Sequence, residues 1–198
     1  MWNSQVIIML LEGIRDTLYM TLASTLFGYI IGLPMGIVLT VTDKDGIRPN
    51  AAVYKVLDVI SNLLRSIPFI ILLIVLIPFT RFVVGRSYGS TATIVPLTIA
   101  AAPYIARMVE SSLKEVDAGV IEAARSMGAS DFQIVTKVML VEARTSLIVG
   151  ATISLGTILG YSAMAGTVGG GGLGDIAIRY GYTRWQTDIM VVTVVLLV

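Results

Sequence analysis

The residues able to do chemistry in this chain are few, and their types exclude most of it. Its 198 residues include no histidine and no cysteine. That removes the commonest general base and metal ligand, the thiolate nucleophile and any disulfide framework. Gly160-Tyr161-Ser162 offers a hydroxyl in the manner of a membrane serine protease, but serine needs an adjacent base, and no histidine is there to act as one. The glycine run Gly169 to Gly172 is not followed by Gly-Lys-Ser or Gly-Lys-Thr, so the chain has no P-loop in which to cradle ATP. What remains is charge-assisted contact, and it concentrates in the polar interlude Asp117 to Glu142, above all in Glu122-Ala123-Ala124-Arg125-Ser126-Met127-Gly128. Glu122 and Arg125 are placed for such contacts at a rim. The small Ala123 and Ala124 beside them would let another backbone come close.

The elements that must carry these residues follow from capping chemistry. Asp117 is a good N-cap, because its carboxylate accepts from first-turn amides that have no helical partner; the helix it starts should run to about Met127. Gly128 falls where a left-handed residue is wanted, which only glycine adopts without a side-chain penalty. Ser130 with Gln133 forms a capping box that starts a second helix, Asp131 to about Met139. Helix, glycine turn, helix is either a docking surface for a soluble partner or an ordinary surface hairpin, and the pattern alone leaves both open.

Composition places this interlude in a membrane protein. The chain is 56% hydrophobic with a mean hydropathy of +0.86, far above a soluble domain. It reads as a single transmembrane domain, residues 1–198. The net charge of +1 and the lack of a basic cluster give no footing for nucleic acid. Residues 1–5 lack positive charge and the first apolar run stops at Glu12, so no signal peptide is read there.

A span needs roughly 20 apolar residues to cross the hydrocarbon core. Five are expected, at about 17–42, 53–80, 91–113, 145–166 and 186–198, with the polar loop 117–142 between the third and fourth. The last apolar run, Ile189 to Val198, is about half a span by the same rule, so the fifth helix is expected to continue beyond the sequence given. On the first span Gly28, Gly32 and Gly36 recur every fourth residue, a bare face suited to close helix packing, and Pro34 is a candidate kink. Arg65 lies inside the second apolar segment, where a charge is costly. It can snorkel along its methylene stem or donate to a carbonyl freed by Pro68; the sequence leaves both readings. The fourth span ends in Gly160-Tyr161-Ser162-Ala163-Met164-Ala165-Gly166 before the glycine run. Irregular backbone at membrane depth is tolerated only where protein or a water-filled cavity covers it. The narrow part of a pathway is therefore expected here, with Met164 as plug or substrate contact, against the alternative that Met164 fills a core and the glycines form an external loop.

Lys44, Arg48 and Lys55 share a side with Lys114, Arg125 and Lys137, so the positive-inside rule puts the polar interlude in the cytoplasm, the N-terminus outside and the C-terminus inside. A secondary transporter would show two similar halves and paired midplane charges, and neither is found. A passive channel or a scaffold would not need the Glu122 to Gly128 element.

Glu122-Ala-Ala, then Gly128, then Val138-Met139-Leu140 resembles the EAA loop of ABC importer permeases, departing from it only where Leu140 is followed by Val141 instead of proline. Arg65-Ser66-Ile67-Pro68-Phe69-Ile70, Ile94-Val95-Pro96-Leu97-Thr98, Ala102-Pro103-Tyr104-Ile105-Ala106-Arg107-Met108-Val109-Glu110 and Gly160-Tyr161-Ser162-Ala163-Met164 narrow the resemblance to the methionine-importer permeases, and together these strings cover nearly the whole chain. The resemblance implies an all-α membrane protein with five transmembrane helices of the type I importer fold, working by alternating access. The chain itself would be no enzyme and hold no cofactor, ATP and Mg being bound by a partner ATPase. It implies a homodimer in a bacterial cytoplasmic membrane, two cytoplasmic ATPases and a methionine-binding lipoprotein or periplasmic protein. ATPase coupling would fall to Glu122, Ala123, Ala124, Arg125, Met127 and Gly128. The pathway or gate would fall to Met164, Tyr161, Ser162, Arg65 and Pro68.

Overall fold

The computed structural model describes residues 4–198, all of them in helices, turns or short connections, with no strand among the described residues. That accords with the solvent: no water reaches a hydrocarbon core, so each backbone amide must be satisfied within its own segment. Three helices are long and apolar enough to cross a membrane, and four if the broken pair Ala51–Ser66 and Phe69–Val75 counts as one. They begin with α1, Ser4–Thr42, which runs through Pro34 without ending. Next come α2 (Ala51–Ser66), α3 (Phe69–Val75), α4 (Ile77–Val84) and α5 (Ser90–Lys114). Between α2 and α3 the helix stops, as expected of a proline that cannot donate an amide; Pro68 has φ −55° and ψ 133° and stands just before α3. The elbow comes next as α6 (Ala118–Ser126), α7 (Asp131–Gln133), a π-helical turn Ile134–Met139, and α8 (Leu140–Glu142). The chain ends with α9 (Arg144–Ala165), α10 (Gly172–Ile176) and α11 (Thr187–Leu197).

The residues fall into two compact units. One comprises Phe27–Ser66 and Ala101–Ser154. Here the glycine stripe of α1 meets α5. A methyl group built on Gly32 would lie 2.6 Å from the Ala102 carbonyl oxygen and 2.9 Å from Ile105 Cβ. The facing atoms are helix backbone and a β-branched stem that cannot step aside, so a glycine is required by close approach. Ala101, Ala102, Ile105, Ala106 and Val109 are buried along that face of α5.

The other unit comprises the chain up to Leu26, Ile67–Ala100 and Leu155–Val198. It holds two apolar clusters, one of Met20, Phe69, Leu73, Leu97 and Ala165, the other of Leu10, Leu173, Ile176 and Ile189. Leu18, Leu22 and Leu26 are exposed along one edge of α1, which suits a surface that meets lipid instead of water. The glycine run is folded back on its own unit: Gly89 donates to the Gly169 carbonyl at 2.9 Å, Gly170 to the Ala165 carbonyl at 2.9 Å, and Leu173 to Thr17 Oγ1 at 2.8 Å. Irregular backbone is thus covered by protein, and Gly170 and Gly172 are buried.

Candidate functional site

The elbow is built as its caps dictate. The Asp117 carboxylate accepts from the Gly119 amide at 2.8 Å and starts α6. At the other end Gly128 has φ +84°, its amide donates to the Arg125 carbonyl at 2.9 Å, and the Ala129 amide donates to the Ala124 carbonyl at 3.1 Å. This pair of bonds closes a Schellman motif, whose left-handed residue glycine fills without strain. Ser130 and Gln133 then make the reciprocal capping box, with Gln133 Oε1 accepting from the Ser130 amide at 2.9 Å.

The second helix is not regular. Ile134, Val135 and Met139 are all buried. At 100° per residue an α-helix would spread these three over about 140° of its circumference. The wider π turn over Ile134–Met139 gathers them into a narrower face and brings them inward together. No proline ends this helix. It passes through α8 to the single break at Ala143.

The two alanines divide. Ala124 is 5% exposed and packs within the chain, so it is not a surface on which a partner could rest. Ala123 and Glu122 face out. Arg125 reaches back to donate to the Ile47 carbonyl at 2.9 Å. The tip is apolar and bare: Met127 is 82% exposed and Phe132 77%. Phe132 was missed in the sequence, although an aromatic two residues past the N-cap Ser130 is a signal that could have found it.

Beneath the elbow lies an ion-pair chain that the sequence reading also missed. Glu110 is 5% exposed; its carboxylate accepts from Arg107 at 2.7 Å, from Lys114 at 2.8 Å and from the Tyr54 hydroxyl at 3.3 Å. Arg107 also pairs with Asp58 and donates to Asn62 Oδ1 at 3.1 Å. Lys114 reaches Asp43 at 2.7 Å, and this hydrogen bond holds the Asp43 carboxyl below its ordinary range against the opposing pull of burial. Arg107, Glu110 and Lys114 recur on one face of α5 at helical spacing, which is the pattern a closer reading would use.

Of the pathway residues, Arg65 lies in the unit with the elbow, and Pro68, Tyr161, Ser162 and Met164 in the other. Arg65 is exposed and its guanidinium stands 6.0 Å from the centre of the Tyr104 ring, a cation–π contact that neither sequence-based alternative named. Tyr161 stacks on Phe69 with centroids 4.7 Å apart and planes within 5°. The buried Ser162 hydroxyl donates to the Leu159 carbonyl at 2.7 Å, which occupies it as a helix-internal bond and leaves it no role as a nucleophile. Met164 is 48% exposed and free to present its thioether.

Residues 17–198 match the family described as binding-protein-dependent transport system inner membrane component. The chain belongs to that family. Among its curated relatives is the probable D-methionine transport system permease protein MetI of Vibrio cholerae, 48% identical over 96% of this chain and 84% of that relative. The D-methionine transport system permease protein MetI of Escherichia coli K12 is 54% identical over 80% of this chain and 73% of its own length. A solved structure of an inward-facing MetNI methionine ABC transporter superposes with a TM-score of 0.97 at 51% identity, covering 99% of this chain and 91% of that one.

Proposed function

We propose that the chain is the transmembrane permease subunit of an ATP-driven methionine importer in a bacterial cytoplasmic membrane. It forms the translocation pathway as a homodimer, takes its driving force from two copies of a cytoplasmic ABC ATPase that bind ATP and Mg, and receives substrate from a methionine-binding lipoprotein or periplasmic protein. The coupling loop 117–142 and the C-terminus lie in the cytoplasm and the N-terminus outside.

The observation that carries this reading is the elbow: on a member of an importer family, a Schellman-closed helical turn presents bare Met127 and Phe132 at its tip, while its base is held by caps and buried aliphatics. Solvated apolar tips on a rigid turn fit a cleft in a soluble protein. The close relatives named for D-methionine transport support the substrate. In operation ATP closes the ATPases, the paired elbows are carried with them, and the helices rock so that the cavity opens outward; hydrolysis reverses the motion. Glu122, Ala123, Arg125, Met127 and Gly128 form the contact, with Ala124 as the inward-facing support of α6. Met164, Tyr161 and the Pro68 break line the path in one unit, and Arg65 lies in the other.

Vesicles containing the permease, its ATPase and its binding protein test the proposal. Labelled methionine should enter only with ATP inside, and unlabelled methionine should compete better than other amino acids. Equal uptake in vesicles that lack the ATPase would make the chain a passive channel.

A further inference from the structure

The ion-pair chain joins α2, α5 and the loop between α1 and α2, and it is continuous with the elbow. Arg125 of α6 donates to the Ile47 carbonyl, in the short loop between α1 and α2. That loop is closed on itself: the Arg48 amide donates to the Val41 carbonyl at 3.0 Å and the Asn50 amide to the Thr42 carbonyl at 2.9 Å. Its first residue, Asp43, holds Lys114 of α5. Lys114 and Arg107 grip the two oxygens of Glu110, and Arg107 in turn holds Asp58 and Asn62 of α2. Apart from the passage along the loop backbone from Ile47 to Asp43, each step is a hydrogen bond or ion pair, and all of them lie within one compact unit.

The arrangement is costly to bury. Stripping water from Glu110 and from most of Arg107 is only partly offset by their attraction to each other and to the more exposed Lys114, and an apolar pair of like size would hold helices at least as firmly. Directional charge pairs do one thing that apolar packing does not: they fix the angle and register between the elements they join, because an ion pair has a preferred geometry and a greasy contact can slide. Resting on the proposed coupling to an ATPase, we infer that Asp43, Lys114, Glu110 and Arg107 form a strut that delivers displacement of α6 to α2 and α5. They are positioning residues: none touches the substrate or the partner, and each acts through the helices it holds in register.

The test uses the whole complex of permease, ATPase and binding protein in vesicles, with methionine uptake and ATP hydrolysis measured on the same sample. Glu110→Gln keeps the size of the side chain, removes the charge and leaves one accepting oxygen where the carboxylate has two; Asp43→Asn makes the same change in the loop between α1 and α2. Both variants should assemble, both should hydrolyse ATP within about twofold of the parent, and methionine carried per ATP should fall at least fivefold.

A second readout does not depend on the substrate. The chain lacks cysteine, so Leu63→Cys, at an exposed position of α2, takes a single environment-sensitive fluorophore. ATP with vanadate should change its emission in the parent complex and leave it nearly unchanged with Asp43→Asn. An unaltered transport ratio and an unaltered emission change in Asp43→Asn overturn the strut. A parent complex that moves the label but carries no methionine refutes the substrate and leaves the strut standing; a parent that does neither removes both.

Discussion

Replacing Gly128 separates backbone conformation from every other property of the elbow, because a side chain built there meets nothing within 4 Å. The whole effect of a substitution is then the strain of φ +84°. An L-residue in the left-handed region costs roughly 1–2 kcal/mol, alanine near the lower figure and a β-branched residue at or above the upper. Since 1.4 kcal/mol is tenfold in an equilibrium, Gly128→Ala should weaken binding of the ATPase about fivefold and Gly128→Val about thirtyfold or more. Asparagine, which tolerates the left-handed region, should cost least. α6 has nine residues, fewer than the roughly 12–15 an isolated helix needs, so it has little reserve with which to absorb the strain. Titrating the ATPase against detergent-solubilised permease gives the four affinities, and size-exclusion chromatography reports whether the permease dimer persists. The order glycine, asparagine, alanine, valine with the dimer intact is expected. Equal affinities for alanine and valine, or normal methionine uptake by Gly128→Val, would refute the role given to the turn.

Gly32→Leu should lower thermal stability by several degrees or prevent assembly, because the facing Ala102 carbonyl cannot move aside and overpacking costs about 1–3 kcal/mol; Gly28→Ala, which meets the flexible end of Ile105, should be milder, and unfolding curves of both variants in one detergent decide it. Met164→Ala should change substrate preference or leak, and unchanged uptake of methionine and several competing amino acids would return Met164 to a packing role. The Asp43 carboxyl is held below its ordinary value by Lys114. Its contribution to stability is therefore fully present above the ordinary carboxylate range, constant from about pH 7 to 5, and lost only as pH falls through the lowered value; comparing acid unfolding of the parent with Asp43→Asn isolates it, and parallel curves would refute it.

How much of this was legible beforehand depends on the distance over which each cause acts. Asp117, Gly128 and the Ser130–Gln133 box act within four residues, and each does in the structure what its chemistry requires. Pro68 interrupts a helix for equally local reasons. The glycine stripe announced a close contact but not its partner, since nothing in α1 names α5. The difference between Ala123 and Ala124 was invisible because it depends on which side of α6 faces the protein. The ion-pair chain was hidden for the opposite reason: Asp43, Asp58 and Glu110 lie far apart along the sequence, and each alone passes for a solvated charge at a helix end. The partner that Arg65 has in Tyr104 was hidden in the same way, lying almost forty positions later.

The π turn at Ile134–Met139 makes the elbow's orientation hang on a single surplus amino acid. Deleting one residue there would let the ladder close as an ordinary α-helix, and with about 100° of rotation per residue it would swing Phe132 and everything before it a quarter-turn or more around the axis of α8. The same outward tip, on the same caps, would then point at a different neighbour.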